Sequence, residues 1–237
     1  MTAPTLRAVL FDAYGTLFDV HSVVLAAEQL FPGQGQTLSQ RWRDKQIEYS
    51  RLCSMSGQYQ PFWDLTRAAL RHACLALKLP LNLSGEERLM NEYRHLSAFP
   101  ENREVLQELM ERGVRAGVLS NGDPGMLQIA VQSAGLAPWL DPVLSVQEVG
   151  RYKTDPAAYA LGPAALGLPA REILFVSSNA WDALGATWYG YTTLWVNRQN
   201  QPREQLGPPP HHEASSLRGV LALFPDATAG AAWLSAP

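Results

Sequence analysis

Strand and helix signals alternate through most of this 237-residue chain, but a long strand-free segment interrupts them after the first strand. Residues 7–11 predict a short buried strand that stops at Asp12. Between about residues 21 and 96 the apolar positions recur with helical spacing, and from Pro100 onward strand patterns return between helices. Such alternation is typical of a parallel sheet with helices on both faces, so the predicted class is α/β with a helical insert.

The strand-free segment predicts an all-helical domain inserted into the α/β core. Its clearest predicted helices are residues 39–55, residues 62–77 and a third that begins at Ser84, with Glu87 completing a capping box. We expect residues 1–16 and 98–237 to form a Rossmann-like core with a parallel sheet, and residues 17–97 to form a helical cap.

The second half of the chain supplies the other strands of the core. Strands are predicted over residues 114–119, 172–176 and 191–196, and helices over 101–112 and 180–186, with a loop over 199–212. Two further helices begin at Asp123-Pro124 and Asp155-Pro156, where each aspartate is expected to cap its own helix.

Composition narrows the range of functions. Hydrophobic residues make up 46% of the chain, enough for a buried core, and the formal net charge of −3 argues against nucleic-acid binding, which favours a basic surface. No apolar stretch is long and unbroken enough to span a bilayer, and no leader pattern follows Met1, so we expect a cytoplasmic protein without membrane contact. Cys53 and Cys74 are then expected to be free thiols.

Polar residues stand at three predicted strand ends, the edge at which parallel sheets bind ligands. Asp12 follows the first strand, Ser120 and Asn121 follow the second, and residues 177–179 follow a later one. A carboxylate directly after a buried strand loses solvation and becomes a better nucleophile. Hydroxyl, amide and backbone N–H groups at the start of a helix can hold an anion. Asp12 is therefore the candidate nucleophile.

Each candidate residue also has an ordinary structural explanation. Asp12 could lie in a surface loop or cap a helix, and Asp182 could be a helix-terminal charge. Lys153 and Arg43 could be solvated cations, and Trp181 a core aromatic residue. The histidines lack metal-ligand spacing, and the glycines form neither a phosphate-binding loop nor a dinucleotide fingerprint. Only the combination of motifs favours a function.

In combination, the motifs resemble the haloacid dehalogenase superfamily. The superfamily's order is matched by Asp12 to Leu17, Ser120-Asn121-Gly122, Lys153, and a strand that leads to Asp182, with a helical insert after the first motif. More narrowly, residues 18–23, 42–46 and 175–182 are similar to the L-2-haloacid dehalogenases, and the similarity extends from about Leu6 to about Phe224.

The resemblance implies hydrolysis of short L-2-halo acids without a metal or cofactor. Asp12 would attack C2 and displace halide with inversion, and water would cleave the resulting ester to a D-2-hydroxy acid. The implied catalytic residues are Asp12, Thr16, Lys153, Tyr159, Ser177, Asn179 and Asp182. The implied substrate and halide contacts are Tyr14, Arg43, Phe62, Ser120, Asn121 and Trp181. A small halogenated carboxylic acid is the expected partner, and a homodimer is the expected assembly.

A magnesium-dependent phosphatase or phosphonate hydrolase is the alternative within the superfamily. Phosphatases carry a second aspartate two residues after the nucleophile, where this chain has Tyr14. They also carry an acidic cluster after the last catalytic strand, where this chain has Ser178 and Asn179. Since a hard cation prefers several oxygen ligands, usually with carboxylates among them, Asp12 and Asp182 alone make a poor magnesium site.

A third alternative is a binding relative without turnover. It is favoured by Thr154, which replaces the proline that often follows the catalytic lysine in the family. Asp44 is a second departure, because relatives often carry a neutral residue beside the cap arginine. If the Asp44 carboxylate approached Arg43, it would weaken halide binding there.

Overall fold

A parallel sheet forms the centre of the molecule in the computed structural model, which describes residues 5–225. Its strands are β1 Ala8–Phe11, β2 Arg115–Ser120, β3 Val143–Ser145, β4 Ile173–Ser177, β5 Thr192–Val196 and β6 His212–Ala214. They lie in the order β3-β2-β1-β4-β5-β6, and every neighbouring pair is parallel. All four residues of β1 are fully buried. The predicted α/β class is confirmed.

The α-helices fall into a group before β2 and a group that alternates with the later strands. They are α1 Val24–Leu30, α2 Gly35–Ser56, α3 Phe62–Ala76, α4 Leu83–Arg94, α5 Asn102–Glu111, α6 Pro124–Ser133, α7 Pro156–Leu166 and α8 Ala180–Tyr189. Within the first group, α1 packs on α2 and α4, and α3 packs on the same two helices. The strand-free segment is therefore helical, as predicted; its division from the core at the stated bounds stays a prediction.

The topology places a crevice beside β1. The chain moves outward from β1 through β2 to β3 and then returns to β4 on the other side of β1. Because parallel crossovers are right-handed, this reversal puts α5 and α6 on one face of the sheet and α7 and α8 on the other. Ligands of such sheets bind at the carboxyl ends of the strands where the order reverses. Here those ends are Phe11 and Ser177, directly before Asp12 and Ser178.

Two short strands were missed by the sequence prediction. β6 lies at the end of the segment predicted as a loop over 199–212, and β3 falls where no strand was expected. Both have three residues, and β6 lies at the sheet edge with each of its residues at least partly exposed. A strand this short carries too few positions for an alternating or apolar pattern to be recognised.

The predicted capping box at the start of α4 is wrong. The helix begins at Leu83, and the side chain of Asn82 accepts a hydrogen bond from the backbone N–H of Gly85 at 2.8 Å. Ser84 lies inside the helix and therefore cannot be its cap. Asparagine is as good a cap as serine, and the sequence offered both within three residues.

The two Asp-Pro helix starts behave differently. Asp155 caps its own helix α7, because its carboxylate accepts from the backbone N–H of Ala157 at 2.9 Å. Asp123 occupies the N-cap position of α6 as predicted, but its side chain makes no capping hydrogen bond there. Its two carboxylate oxygens instead accept from the backbone N–H groups of Phe62 and Trp63, at 2.9 and 2.7 Å. The first turn of α3 is thereby bound to the loop that follows β2.

Candidate active site

Asp12 leaves the buried end of β1 with its carboxylate enclosed by donors. Its Oδ2 accepts hydrogen bonds from Asn179 Nδ2 at 2.8 Å, Thr16 Oγ1 at 3.1 Å and Ser177 Oγ at 3.4 Å. Oδ1 lies 3.0 Å from the ammonium of Lys153. Gly15 has φ +95°, the left-handed conformation that lets the chain turn and return Thr16 to Asp12. The carboxylate is held in one orientation.

Lys153 joins Asp12 to a second buried carboxylate. Its Nζ lies 2.9 Å from Asp182 Oδ2 and 4.9 Å from the centre of the Phe175 ring. Tyr159 donates its hydroxyl to Asp182 Oδ1 at 2.7 Å. Lys153 is 1% exposed and Asp182 is fully buried, so water screens these charges little.

The protonation of this group follows from burial and pairing. Burial alone would lower the pKa of Lys153, but the adjacent Asp12 and Asp182 carboxylates outweigh it and raise the pKa, so the ammonium persists at neutral pH. Burial raises the pKa of Asp182 to about 6, with Asp12 adding to the rise and Lys153 opposing it. Burial also raises the pKa of Tyr159, so its hydroxyl remains a donor.

The loop after β4 orients Asp12 from the other side. Thr16 Oγ1 accepts from the backbone N–H of Ser178 at 2.8 Å, so its proton is directed to Asp12. Ser177 Oγ accepts from the backbone N–H of Asn179 at 3.1 Å, and Asn179 Nδ2 also donates to the carbonyl of Tyr14 at 3.0 Å. The seven predicted catalytic residues thus form one connected hydrogen-bond network.

A small cavity of about 10 Å³, room for about one water molecule, lies beside this network. It is lined by Asp12 and Asn179 and by all six predicted substrate and halide residues, Tyr14, Arg43, Phe62, Ser120, Asn121 and Trp181. An outer cavity of about 560 Å³ shares Arg43, Ile47 and Asn179 with it. These three side chains therefore stand between the inner cavity and the outer one.

Arg43 projects from α2 to the edge of the inner cavity. One guanidinium nitrogen, Nη2, donates to the carbonyl of Tyr14 at 3.3 Å and to Asn179 Oδ1 at 3.4 Å. Asp44 has its Oδ1 bound to Gln40 Nε2 at 2.9 Å, and no ion pair joins it to Arg43 among the described residues. The departure at Asp44 therefore leaves the arginine charge unpaired.

The loop after β2, which is predicted to bind an anion, is hydrogen-bonded to the backbone of Lys153. Asn121 Oδ1 accepts from the backbone N–H of Lys153 at 3.0 Å, and Ser120 Oγ accepts from the backbone N–H of Gly122 at 3.1 Å. A Cβ at Gly122 would come within 2.7 Å of the Tyr14 ring, so only glycine lets this loop approach the pocket wall. The loop after β2 is thereby fixed against both Lys153 and Tyr14.

Ile47 and Ser50 also line the inner cavity and were not predicted from the sequence. They follow Arg43 by four and seven residues on α2, so all three lie on one face of the helix. Extending the helical spacing from Arg43 would have found them. Both add to the wall of the pocket rather than to the network around Asp12.

An internal cation contacts both buried carboxylates of the site. The Lys153 ammonium lies between Asp12 and Asp182, the position that a bridging cation would take. Within residues 5–225 no group of three or more His, Cys, Asp or Glu side chains is placed to hold a metal ion.

In the same range no helix has the length and apolar character needed to cross a membrane.

The fold and this site define an α/β enzyme with a buried aspartate at the switch point of a parallel sheet. A model of the haloacid dehalogenase-like hydrolase family matches residues 6–190. The chain belongs to that family, and it is a hydrolase.

Relatives within the family are closely similar over almost the whole chain. An (S)-2-haloacid dehalogenase from Pseudomonas sp. (strain YL) is 44% identical, covering 92% of this chain and 94% of its own. The crystal structure of the L-2-haloacid dehalogenase RSc1362 is 56% identical with a TM-score of 0.92, covering 93% and 99%. The L-2-haloacid dehalogenase from Xanthobacter autotrophicus with chloropropionic acid covalently bound is 35% identical, with a TM-score of 0.88 and the same coverage.

Proposed function

We propose that this protein hydrolyses short L-2-haloalkanoic acids to D-2-hydroxy acids through an ester on Asp12. The observation that carries the proposal is the fixed Asp12 carboxylate, which faces a small cavity together with the unpaired cation of Arg43. Displacement of a halide requires a nucleophile and an anion acceptor on the walls of one pocket. The (S)-2-haloacid dehalogenase of Pseudomonas and the L-2-haloacid dehalogenase RSc1362, to which the chain is similar, support the proposal.

In the first step a carboxylate oxygen of Asp12 bonds to C2 while the carbon–halogen bond breaks. Oδ1 accepts one hydrogen bond and Oδ2 accepts three, so we assign the attack to Oδ1, which has more free lone-pair density. The halide leaves with the bonding electrons toward Arg43 and Asn121, and backside attack inverts C2. The substrate carboxylate is bound near Ser120.

In the second step water attacks the carboxyl carbon of Asp12. Negative charge then develops on Oδ2, where Thr16, Ser177 and Asn179 already donate, an arrangement that stabilises an oxyanion. Asp182 takes one proton of the water. As the bond between Oδ1 and the Asp12 carboxyl carbon breaks, Oδ1 leaves on the product and takes a proton from the Lys153 ammonium, which releases the hydroxy acid. The new Asp12 carboxyl group returns the second water proton to Lys153, and Asp182 gives its proton to solvent. Asp12 thereby gains one oxygen from water.

The activity test uses L- and D-2-chloropropionate and p-nitrophenyl phosphate, each with magnesium or with EDTA. We expect chloride release from the L isomer alone, unchanged by EDTA. Phosphate release that requires magnesium would instead assign the phosphatase alternative, and turnover of neither substrate class would assign the binding alternative. The Asp12→Asn variant is the control for adventitious activity.

The ester intermediate is tested in water labelled with ¹⁸O. A single turnover with enzyme in excess places the label in the protein, and peptide mass spectrometry locates it. The label is expected in Asp12. Direct attack of water on C2 would place the label in the hydroxy acid on the first turnover and overturn the ester mechanism.

Residues 17–97 are proposed to act as a cap that closes the site. Arg43, Ile47 and Phe62 come from its helices and line the inner cavity opposite Asp12. Since that cavity holds about one water molecule, a 2-halo acid enters only when these side chains move. Asp123 anchors α3 and Arg43 contacts Asn179, so these are the contacts across which opening would occur.

We also propose a cytoplasmic homodimer. Large apolar side chains are exposed on α2 and α3, at Leu52, Met55 and Leu75. Exposed apolar groups on neighbouring helices are typical of a protein interface. Both cysteines are free thiols, which suits a reducing compartment.

A further inference from the structure

Gln46 is a polar side chain of α2 that is fully buried and that the mechanism above does not use. It lies one helical turn after Arg43. Its carbonyl Oε1 accepts hydrogen bonds from Arg43 Nη1 at 2.7 Å and from the hydroxyl of Tyr93 at 3.0 Å. A buried amide that meets a cation beside a reaction pocket calls for an explanation beyond packing.

The orientation of the Gln46 amide is fixed by the hydrogen bond that its nitrogen makes. Gln46 Nε2 donates to Thr66 Oγ1 at 2.6 Å, and that hydroxyl donates to the carbonyl of Phe62 at 2.7 Å. Because the Thr66 proton is committed to Phe62, the hydroxyl must accept from the amide N–H. Gln46 therefore presents its oxygen, and not its nitrogen, to Arg43.

Tyr93, the second donor to Gln46 Oε1, is equally constrained. Tyr93 is buried, and its ring stacks on Tyr14 with centroids 5.8 Å apart. Burial raises the pKa of its hydroxyl, so it remains protonated and donates to Gln46. Arg43 and Tyr93 together occupy the lone pairs of one carbonyl oxygen.

All of the acceptors around the Arg43 guanidinium are neutral. Gln46 Oε1, the Tyr14 carbonyl and Asn179 Oδ1 hold it, and within residues 5–225 no carboxylate forms an ion pair with it. Neutral acceptors fix the position of a cation without cancelling its charge. The guanidinium is therefore both located and available to an incoming anion.

We propose that Gln46 is a positioning residue that holds the Arg43 guanidinium at the inner cavity and leaves its full charge for the departing halide. Gln46 does not line the cavity and acts only through Arg43. The role rests on the proposed dehalogenation. It explains why a buried neutral amide occupies this position, where a glutamate of the same shape would form an ion pair with Arg43 and neutralise the halide acceptor.

The test compares leaving groups in the step that forms the ester. Single-turnover rates are measured by rapid quench for L-2-chloropropionate and L-2-bromopropionate in the wild type, Gln46→Met and Gln46→Glu. Losing the positioned charge is expected to slow ester formation about tenfold or more, equivalent to about 1.4 kcal/mol of barrier. Chloride is the poorer leaving group, so the bromide-to-chloride rate ratio rises, and inhibition by added bromide weakens in both variants.

If Gln46 only stabilised the fold, replacing it would not change the bromide-to-chloride rate ratio. The matched control is Glu86→Gln, which weakens the ion pair of buried Glu86 on α4 with exposed Arg71 on α3, without contacting Arg43. It is expected to lower stability and keep the ratio. Gln46→Glu keeps the shape of the side chain, so it remains informative if the methionine variant does not fold.

An unchanged ratio in folded Gln46→Glu overturns the proposed role. A wild type that releases no halide would instead overturn the proposed function, so the two failures are distinguishable. Thr66→Val provides a further check, because it frees the amide to rotate while leaving both Oε1 donors in place. We expect it to raise the ratio by less than Gln46→Met does.

Discussion

At the scale of single residues, Lys153 is the buried charge on which the site depends. Its ammonium is the only cation that the described contacts place on both Asp12 and Asp182. Replacing Lys153 by methionine would leave two neighbouring carboxylates without a counter-charge. Removing one partner of a buried ion pair costs about 3–5 kcal/mol of unfolding free energy, and that is the loss expected at pH 8.

The loss in Lys153→Met is expected to be smaller at pH 5. Burial already raises the pKa of Asp182, and without the opposing ammonium it rises further above the unfolded value. The penalty is therefore absent at low pH, grows as pH rises above the unfolded pKa and is complete above the folded pKa. Urea unfolding of both proteins at pH 5 and pH 8 measures it. Lys45→Met, which breaks an ion pair of half-buried Lys45 with exposed Glu48, is the control and is expected to change little at either pH. Equal losses at both pH values would contradict the electrostatic explanation.

In the proposed mechanism, Asp182 sets the acid limit of ester hydrolysis. Its carboxylate takes a proton from water only when ionised, and burial, with the Asp12 charge adding to the rise, raises its pKa to about 6 in the free enzyme. The ester removes the Asp12 charge, so the rate of ester decay is expected to fall at a pH below about 6, measured by following the ester by mass spectrometry after rapid mixing. Tyr159→Phe removes a hydrogen bond to the ionised form, so it should move this limit to higher pH. A pH-independent decay would contradict the role of Asp182.

Much of the site was predictable at this scale, because Asp12, Ser177 and Asn179 stand in short motifs at strand ends. Tyr159 lies within α7 and was implied only by the family resemblance. Gln46 was not, since its role depends on Tyr93 and Thr66, which come from other helices. Sequence spacing places Gln46 near Arg43 on one helix but cannot say which of its amide atoms faces the guanidinium.

At the scale of elements, Asp123 stabilises a helix that is not its own. Asp123→Ala removes the acceptor for two backbone N–H groups at the start of α3, and we expect a loss of about 1–2 kcal/mol in urea unfolding. KM should also rise, because Phe62 begins this helix and lines the cavity. Asn82→Ala removes a cap on α4 away from the cavity and should lower stability without changing KM. A similar KM change in both variants would contradict a specific role for Asp123.

Gly185 lets α8 approach the catalytic network closely. A Cβ there would lie 2.5 Å from the Tyr159 hydroxyl and 2.7 Å from Thr154 Cγ2. Alanine normally favours a helix, yet Gly185→Ala is expected to destabilise the protein by about 1–3 kcal/mol through overpacking and to slow ester hydrolysis. Gly125→Ala in α6 meets nothing within 4 Å and should be neutral or stabilising. Thermal unfolding and the ester-decay rate test both variants.

Long elements were located by the sequence at this scale, and the two shortest strands, β3 and β6, were missed. α3 was expected over 62–77 and is observed as Phe62–Ala76, because its length gives several repeats of the apolar period. The cap of α4 and the partner of Asp123 were missed. A cap depends on one hydrogen bond whose acceptor is chosen by packing, and neighbouring residues of similar chemistry compete for it.

At the scale of the whole molecule, the proposed homodimer predicts a mass of twice the chain's 26.1 kDa by sedimentation equilibrium. Leu52→Asp introduces a charge on the exposed apolar face of α2 and should yield monomers. Leu83→Asp, the same substitution at an exposed position on α4, should leave the dimer intact. A wild type with the mass of one chain would exclude the dimer.

The overall architecture was predictable because the alternation of strands and helices leaves few topologies. The strand-free segment located the helical insert, and the polar strand ends located the site. The closed inner cavity was not predictable, since it depends on how Arg43 and Ile47 of α2 meet Asn179 across the crevice. Such contacts join distant parts of the chain and carry no local sequence signal.

The position of Lys153 has a consequence for how the enzyme depends on its surroundings. A cation carried by the chain is attached by the backbone, so every folded molecule has that position filled, and no dissociation constant governs its occupancy. Dilution and competition from other ions cannot empty it. The charge at this one position is therefore supplied by folding alone, and its abundance is set by synthesis of the protein.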